Sequence, residues 1–202
     1  MSKLHKALIV SCLQNDFLDW GSLGIQGANE LVEFANHQMP QFETVIAIQD
    51  WHPATHQSFA ANHPWRKPGQ VMKIDGKEQL LWTMHCIQDT FGAELAVDLA
   101  DENITAVFQK GLHPNIESLS PFLDESGNKA SNINDFLQEK EVDSIYLMGL
   151  LTEYDIQKTA IDARNFGYEV KIFSAGCRAF DTAPAISEQV FKNLQNVGAV
   201  II

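Results

Sequence analysis
Short apolar runs, many of them β-branched, recur along the chain at residues 7–12, 44–49, 104–109, 144–149, 169–174 and 198–202. Apolarity that does not alternate is the pattern of strands buried on both faces of a parallel sheet. Between the runs the period changes. Ile156, Thr159, Ala160, Ala163 and Phe166 fall on one side of a 3.6-residue helix, as do Ile186, Val190, Leu194 and Val197. Strands alternating with helices predict an α/β fold, a doubly wound and mainly parallel sheet with helices on both faces and right-handed crossovers. The alternation fails from Asp50 to Thr90. This stretch is broken by Pro and Gly and holds four of the seven histidines, His52, His56, His63 and His85. Long irregular segments inside compact domains usually carry function. Ligands of open parallel sheets bind beyond the carboxyl ends of the strands. Cys12, Asp50 with His52, Lys110 and the turn 149–155 are therefore expected at one rim.

Composition narrows the class. The 202 residues, 45% apolar and 20% charged, suit one globular domain spanning 1–202. A net charge of −12 repels phosphate backbones and anionic lipid, so neither nucleic acid nor membrane is an expected partner, and small molecules remain. The apolar run after Lys6 is too short for a signal-peptide core or a membrane span. Cys12, Cys86 and Cys177 are an odd number at wide spacing, which fits a reducing compartment better than a disulfide framework. These features predict a cytoplasmic protein.

Asp50 and His52 stand two apart at a strand end, where their side chains project to the same face and could share an ion. His56 and His85 are further candidate donors. A mixed carboxylate and imidazole set suits zinc, iron or manganese and disfavours calcium. Spacing alone fits equally well an Asx turn on a polar loop. Trp20, Trp51 and Trp65 read as pocket-rim or packing residues, packing before rim, and Cys86 and Cys177 as structural ones.

Five segments, taken in order, carry a resemblance. Gln14-Asn15-Asp16-Phe17, Gln49-Asp50-Trp51-His52-Pro53, Trp82-Thr83-Met84-His85-Cys86, Val107-Phe108-Gln109-Lys110-Gly111 and Met148-Gly149-Leu150-Leu151-Thr152-Glu153 resemble the motifs of nicotinamidases and pyrazinamidases, metal-containing members of the isochorismatase-like cysteine hydrolases. The resemblance spans nearly the whole chain and implies an α/β hydrolase that converts nicotinamide, or a related heteroaromatic amide, to the acid and ammonia. It implies Asp50, His52 and His85 as metal ligands, zinc foremost, with the ion on the ring nitrogen; His56 matches a ligand found in only some members. It implies Phe17 and Trp82 as walls for the ring, Lys110 as the catalytic lysine, and a cis peptide at Leu150–Leu151 beside the oxyanion donors. Members of the family are commonly oligomeric. The isochorismatase branch generally lacks the metal ligands.

At the catalytic centre the chain departs from the pattern. The family's general-base Asp precedes its Gln-Asn-Asp-Phe by two residues, and Cys12 stands there. Its nucleophilic Cys follows the Thr of the Gly-φ-x-Thr turn by three, and Asp155 stands there. The two residue types have traded places. Three readings follow: an amidohydrolase with Cys12 as nucleophile, Asp155 as proton acceptor and Lys110 as electrostatic partner; a metal-dependent binder of a pyridine amide or carboxylate without turnover; or a hydrolase in which the ion activates water and Asp155 is the base. With Cys12 as nucleophile the oxyanion donors beside Leu151 would be poorly placed, so weak or altered hydrolysis is expected.

Overall fold
The computed structural model describes residues 5–202. Strands β1 (Lys6–Ser11), β2 (Thr44–Asp50), β5 (Ala106–Lys110), β6 (Ser144–Leu150), β7 (Glu169–Arg178) and β8 (Val200–Ile201) form one sheet in the order β5-β2-β1-β6-β7-β8. Every neighbouring pair is parallel. The order runs outward from β1 on one side and from β6 on the other. Their junction is the switch point where open sheets leave a crevice.

Alternation along β1 divides the core into two layers. Leu8 and Val10 face one side, where helix α1 (Ala28–Gln38) packs through Leu31, Val32 and Ala35 together with the irregular stretch around Trp82 to Leu99. Ala7 and Ile9 face the other, against α2 (Ile133–Glu139), α3 (Gln157–Asn165) and α4 (Pro184–Asn196). The doubly wound sheet expected from the run pattern is the one observed.

Some expected details shift. Phe166 and Val197 lie past the ends of α3 and α4 and are 43% and 46% exposed. Each is followed by a glycine at positive φ, Gly167 at 96° and Gly198 at 87°, which ends the helix before the apolar face can continue. β7 runs on to Arg178, its pairing with β6 shifting register between Leu147 and Gly149. The irregular stretch contains an antiparallel hairpin, β3 (Val71–Ile74) and β4 (Lys77–Leu80), closed by Asp75-Gly76 at φ 48° and 82°. Its strands are partly exposed throughout, so no buried face marked them in the apolar pattern. Trp65 is 99% exposed and Trp20 stacks on Phe91 at the surface, contrary to the packing expected of them.

Candidate active site
β1 ends one residue short of Cys12, which turns into the left-handed region at φ 54° while its N–H donates to the Ile48 carbonyl at 2.9 Å. Across the switch point Gly149 has φ 123°, and a Cβ there would lie 2.1 Å from the Ser11 carbonyl oxygen. Only glycine lets the ends of β1 and β6 approach this closely. The Leu150–Leu151 peptide is cis, and Thr152–Ile156 forms a wide π-type turn leading into α3. This turn carries the Asp155 carboxylate to 3.8 Å from the Cys12 sulfur, whose S–H donates to Oδ1.

Asp50 and Lys110 end the adjacent strands β2 and β5 and are register partners. Lys110 is 1% exposed, and its ammonium donates to Asp50, to Asp155 at 2.5 Å and to the Ser118 carbonyl at 2.9 Å. Three partners saturate three N–H donors. Burial alone would lower the Lys110 pKa, but Asp155 and Asp50 outweigh it and hold the amine charged. Burial also opposes charge on Asp50, yet Lys110, His52 and His85 together keep its carboxyl below the usual range. Asp155 receives less compensation: burial and the Asp50 charge prevail over Lys110 and raise it to about 6. Burial, then Asp50, push the Cys12 thiol well above its ordinary value. Cys12, Asp50 and Asp155 are near enough to share a cation. Lys110 already supplies that charge.

Asp50, His52 and His85 place donor atoms within 4.8 Å of one another, and all three are buried. His52 Nδ1 lies 3.1 Å from the Gly111 carbonyl and His85 Nδ1 2.8 Å from the Thr83 carbonyl. A carbonyl only accepts, so both rings carry the proton on Nδ1 and keep the Nε2 lone pair free. Burial lowers both imidazoles, His52 to about 4, so they are neutral and able to ligate. One carboxylate and two oriented, neutral imidazoles fit a zinc-type ion with open coordination positions. Gly111 makes this packing feasible, since at φ 70° a Cβ would lie 2.3 Å from His52 Cε1. His56 belongs elsewhere: its Nδ1 accepts from Ser58 Oγ at 2.7 Å and its Nε2 donates to the Ile116 carbonyl at 3.3 Å.

The residues after Cys12 brace this frame. The Gln14 amide donates to the Asp50 carbonyl at 2.8 Å and accepts from the Asp50 N–H at 2.8 Å. Asn15 donates to Phe91 and accepts from Val97. Asp16 accepts from the Cys86 N–H at 2.7 Å, which anchors the loop bearing His85, and its carboxylate fills the space a Cβ on Gly92 would need.

One cleft of about 350 Å³, its open mouth included, is lined by Phe17, Leu23, Asp50, His52, Ser58, Trp82, His85, Lys110, Glu117, Leu119, Leu151, Tyr154 and Asp155. Eight of the nine expected site residues meet on this wall. The ninth, Cys12, adjoins Asp155 but is 0% exposed and lines no part of the cleft. Leu23, Ser58, Glu117, Leu119 and Tyr154 were not expected there. Leu23, Ser58, Glu117 and Leu119 arrive from loops that no periodicity marks, and Tyr154 from the Thr152–Ile156 turn, next to Asp155. Beyond Trp82, Glu117, Leu119 and Tyr154 the cleft meets a wider depression between the β3–β4 hairpin and the stretch 115–126.

Residues 6–202 match the isochorismatase domain family. The chain is 37% identical to the nicotinamidase of Escherichia coli strain K12, over 97% of this chain and 93% of that one. Its fold superposes on an Acinetobacter baumanii nicotinamidase/pyrazinamidase with a TM-score of 0.93 at 33% identity, covering 100% of this chain and 97% of that one. The yeast nicotinamidase bound to the inhibitor nicotinaldehyde gives 0.91 at 28%, covering 98% and 99%. The Pyrococcus horikoshii pyrazinamidase in complex with zinc gives 0.80 at 27%, covering 98% of each chain.

Proposed function
This chain belongs to the isochorismatase domain family, and on that premise we propose that it hydrolyses the carboxamide of nicotinamide, or of a related heteroaromatic amide, to the acid and ammonia. The observation that carries the reading is the shared wall: a metal-ligand set, two aromatic side chains and a Lys110–Asp155 ion pair all line one small cleft. Asp50, His52 and His85 would hold a divalent transition metal, zinc by their chemistry, which when bound supplies an anchor for the ring nitrogen. Phe17 and Trp82 bracket the ring, and Leu151 closes the wall beside the amide. Lys110 and Asp155 then stand where the carbonyl carbon must be attacked and the leaving nitrogen protonated. A flat ring with a polar carboxamide suits a cleft in which Phe17, Leu23, Trp82, Leu119, Leu151 and Tyr154 offer apolar surface beside the convergent polar groups of Asp50, His52, His85, Lys110 and Asp155.

Ammonia release from nicotinamide by zinc-loaded protein tests the reading, with chelated protein as the control. Release that stops on chelation and returns with zinc supports it. Binding of nicotinamide or nicotinate by calorimetry without any ammonia would replace it with the non-catalytic binder. The reading includes a cytoplasmic setting and self-association. Among the described residues no helix is long and apolar enough to cross a membrane, and sedimentation reads the oligomeric state.

A further inference from the structure
The exchanged pair leaves a question of role that geometry addresses directly. A nucleophile must reach the amide carbon along an open path, with reacting atoms about 3–3.5 Å apart. The Cys12 sulfur has no such path. It is fully enclosed, lines no part of the cleft, and is held between the Ser11 hydroxyl at 3.5 Å and Asp155 at 3.8 Å. Asp155 has the path. Its carboxylate lines the cleft beside Leu151 and Lys110, with Oδ1 bound by Lys110 at 2.5 Å and Oδ2 accepting the Leu151 N–H at 3.3 Å. Four elements converge on this one side chain: the end of β1 through Cys12, the end of β5 through Lys110, the end of β6 through Leu151, and its own turn before α3.

We infer that Asp155 is the catalytic base of this enzyme, acting on a water molecule, and that Cys12 is a positioning residue whose S–H orients the Asp155 carboxylate. The inference rests on the amidohydrolase reading and assigns roles within it. Asp155 takes one proton from water as the water oxygen bonds to the amide carbon, and the carbonyl electron pair moves onto oxygen. Collapse of the tetrahedral adduct restores the carbonyl and breaks the C–N bond. The leaving nitrogen takes the proton back from Asp155 and departs as ammonia. Amide and water become acid and ammonia, and Asp155 returns to its starting state. No sulfur–carbon bond forms at any stage.

Two measurements test this. In the first, ammonia release by zinc-loaded protein is compared across native protein, Cys12→Ser, Cys12→Ala and Asp155→Asn. Serine keeps a donor to Asp155, so Cys12→Ser should lower kcat by about threefold to tenfold. Alanine removes the donor without adding volume or a β-branch at a residue held at φ 54°, so Cys12→Ala should lower kcat further at unchanged KM, and the better rate of the serine variant is the conservative rescue. Asp155→Asn should lose about 10²–10⁴-fold in kcat, the usual worth of a positioned base, while still binding nicotinamide. Loss of about 10³-fold or more in Cys12→Ser, as expected of a missing nucleophile, would overturn the inference. So would ¹⁸O from labelled water appearing in the Asp155 side chain, since that needs a covalent aspartyl intermediate.

The second measurement needs no turnover. Nicotinaldehyde labelled with ¹³C at its carbonyl is bound to native protein and followed by NMR and intact-protein mass. The inference expects free aldehyde or its hydrate with Cys12 unmodified. A tetrahedral adduct on the Cys12 sulfur would overturn it. Native protein that releases no ammonia would instead defeat the amidohydrolase reading, and the aldehyde experiment would still report whether the thiol reaches the cleft.

Discussion
Lys110→Met removes the charge that holds the two buried carboxylates together while keeping a side chain of similar length. The ammonium is 1% exposed, the Asp50 and Asp155 side chains 6% and 5%, and all three Lys110 donors are engaged. Deleting one member of such a buried group costs roughly 3–5 kcal/mol, because the remaining charge is left without water or a partner. For a chain of this size that lowers Tm by roughly 6–20 °C, at about 2–4 °C per kcal/mol. The assay is denaturant unfolding of metal-free native and variant protein at about pH 7.5 and about pH 5. The sign follows from which state binds more protons. In the native protein Lys110 helps hold Asp50 below its ordinary value, and its stabilisation is lost as pH falls through that depressed value. In the variant, burial without the ammonium raises both carboxyls above their unfolded values, so stability is regained at low pH and lost as pH rises. The penalty should therefore be largest at pH 7.5 and shrink toward pH 5. A loss under about 1 kcal/mol, or the same loss at both pH values, would refute the account of Lys110 as the neutralising centre.

Asp155 must be ionised to accept a proton; burial and the Asp50 charge raise its pKa to about 6 in the metal-free site, and zinc on Asp50 would offset the second cause, so the acid limb of kcat/KM should lie at or below about pH 6 and be absent in Asp155→Asn; a limb above about pH 7 would contradict this. Gly111→Ala should push the His52 ring off its carbonyl partner, since the new Cβ would meet Cε1 at 2.3 Å, and lower zinc affinity by about 10–100-fold in competition with a chromophoric chelator. Unchanged affinity would mean the ring relocates without cost. Gly149→Ala places a Cβ 2.1 Å from the Ser11 carbonyl oxygen between two central strands that cannot separate, so a loss of about 4 kcal/mol or more, or no soluble protein at all, is expected. Recovery of a protein with near-native Tm would show that the switch point is softer than the strand pairing implies.

Much of this architecture was legible along the chain. Parallel strands buried on both faces leave unbroken apolar runs, and helices between them leave a 3.6-residue period, so the sheet and α3 and α4 follow from local pattern. The rule that ligands gather beyond strand ends then brings Cys12, Asp50, His52 and Lys110 to one rim. The ordered motifs added Phe17, Trp82 and His85, which line the same cleft. What local pattern could not carry was anything decided by distance through space. The Asp75-Gly76 turn was readable, but the hairpin strands it joins bury no face and so leave no apolar signature. His56 and His85 look alike on a polar loop. Only the folded chain ties both nitrogens of His56 to Ser58 and Ile116 while turning a free His85 nitrogen toward Asp50.

The exchanged pair marks the boundary most clearly. The family resemblance implies that Cys12 and Asp155 have traded positions, and chemistry alone makes the thiol the better nucleophile. Which of the two meets the cleft is a matter of where β1 stops and how the turn before α3 is wound, and those depend on Gly149 admitting Ser11 at close range. Side-chain type was determined by the sequence. Access to the cleft, which separates a nucleophile from a positioning group, was decided by the tertiary structure, because it depends on the close approach of backbone segments far apart in the chain.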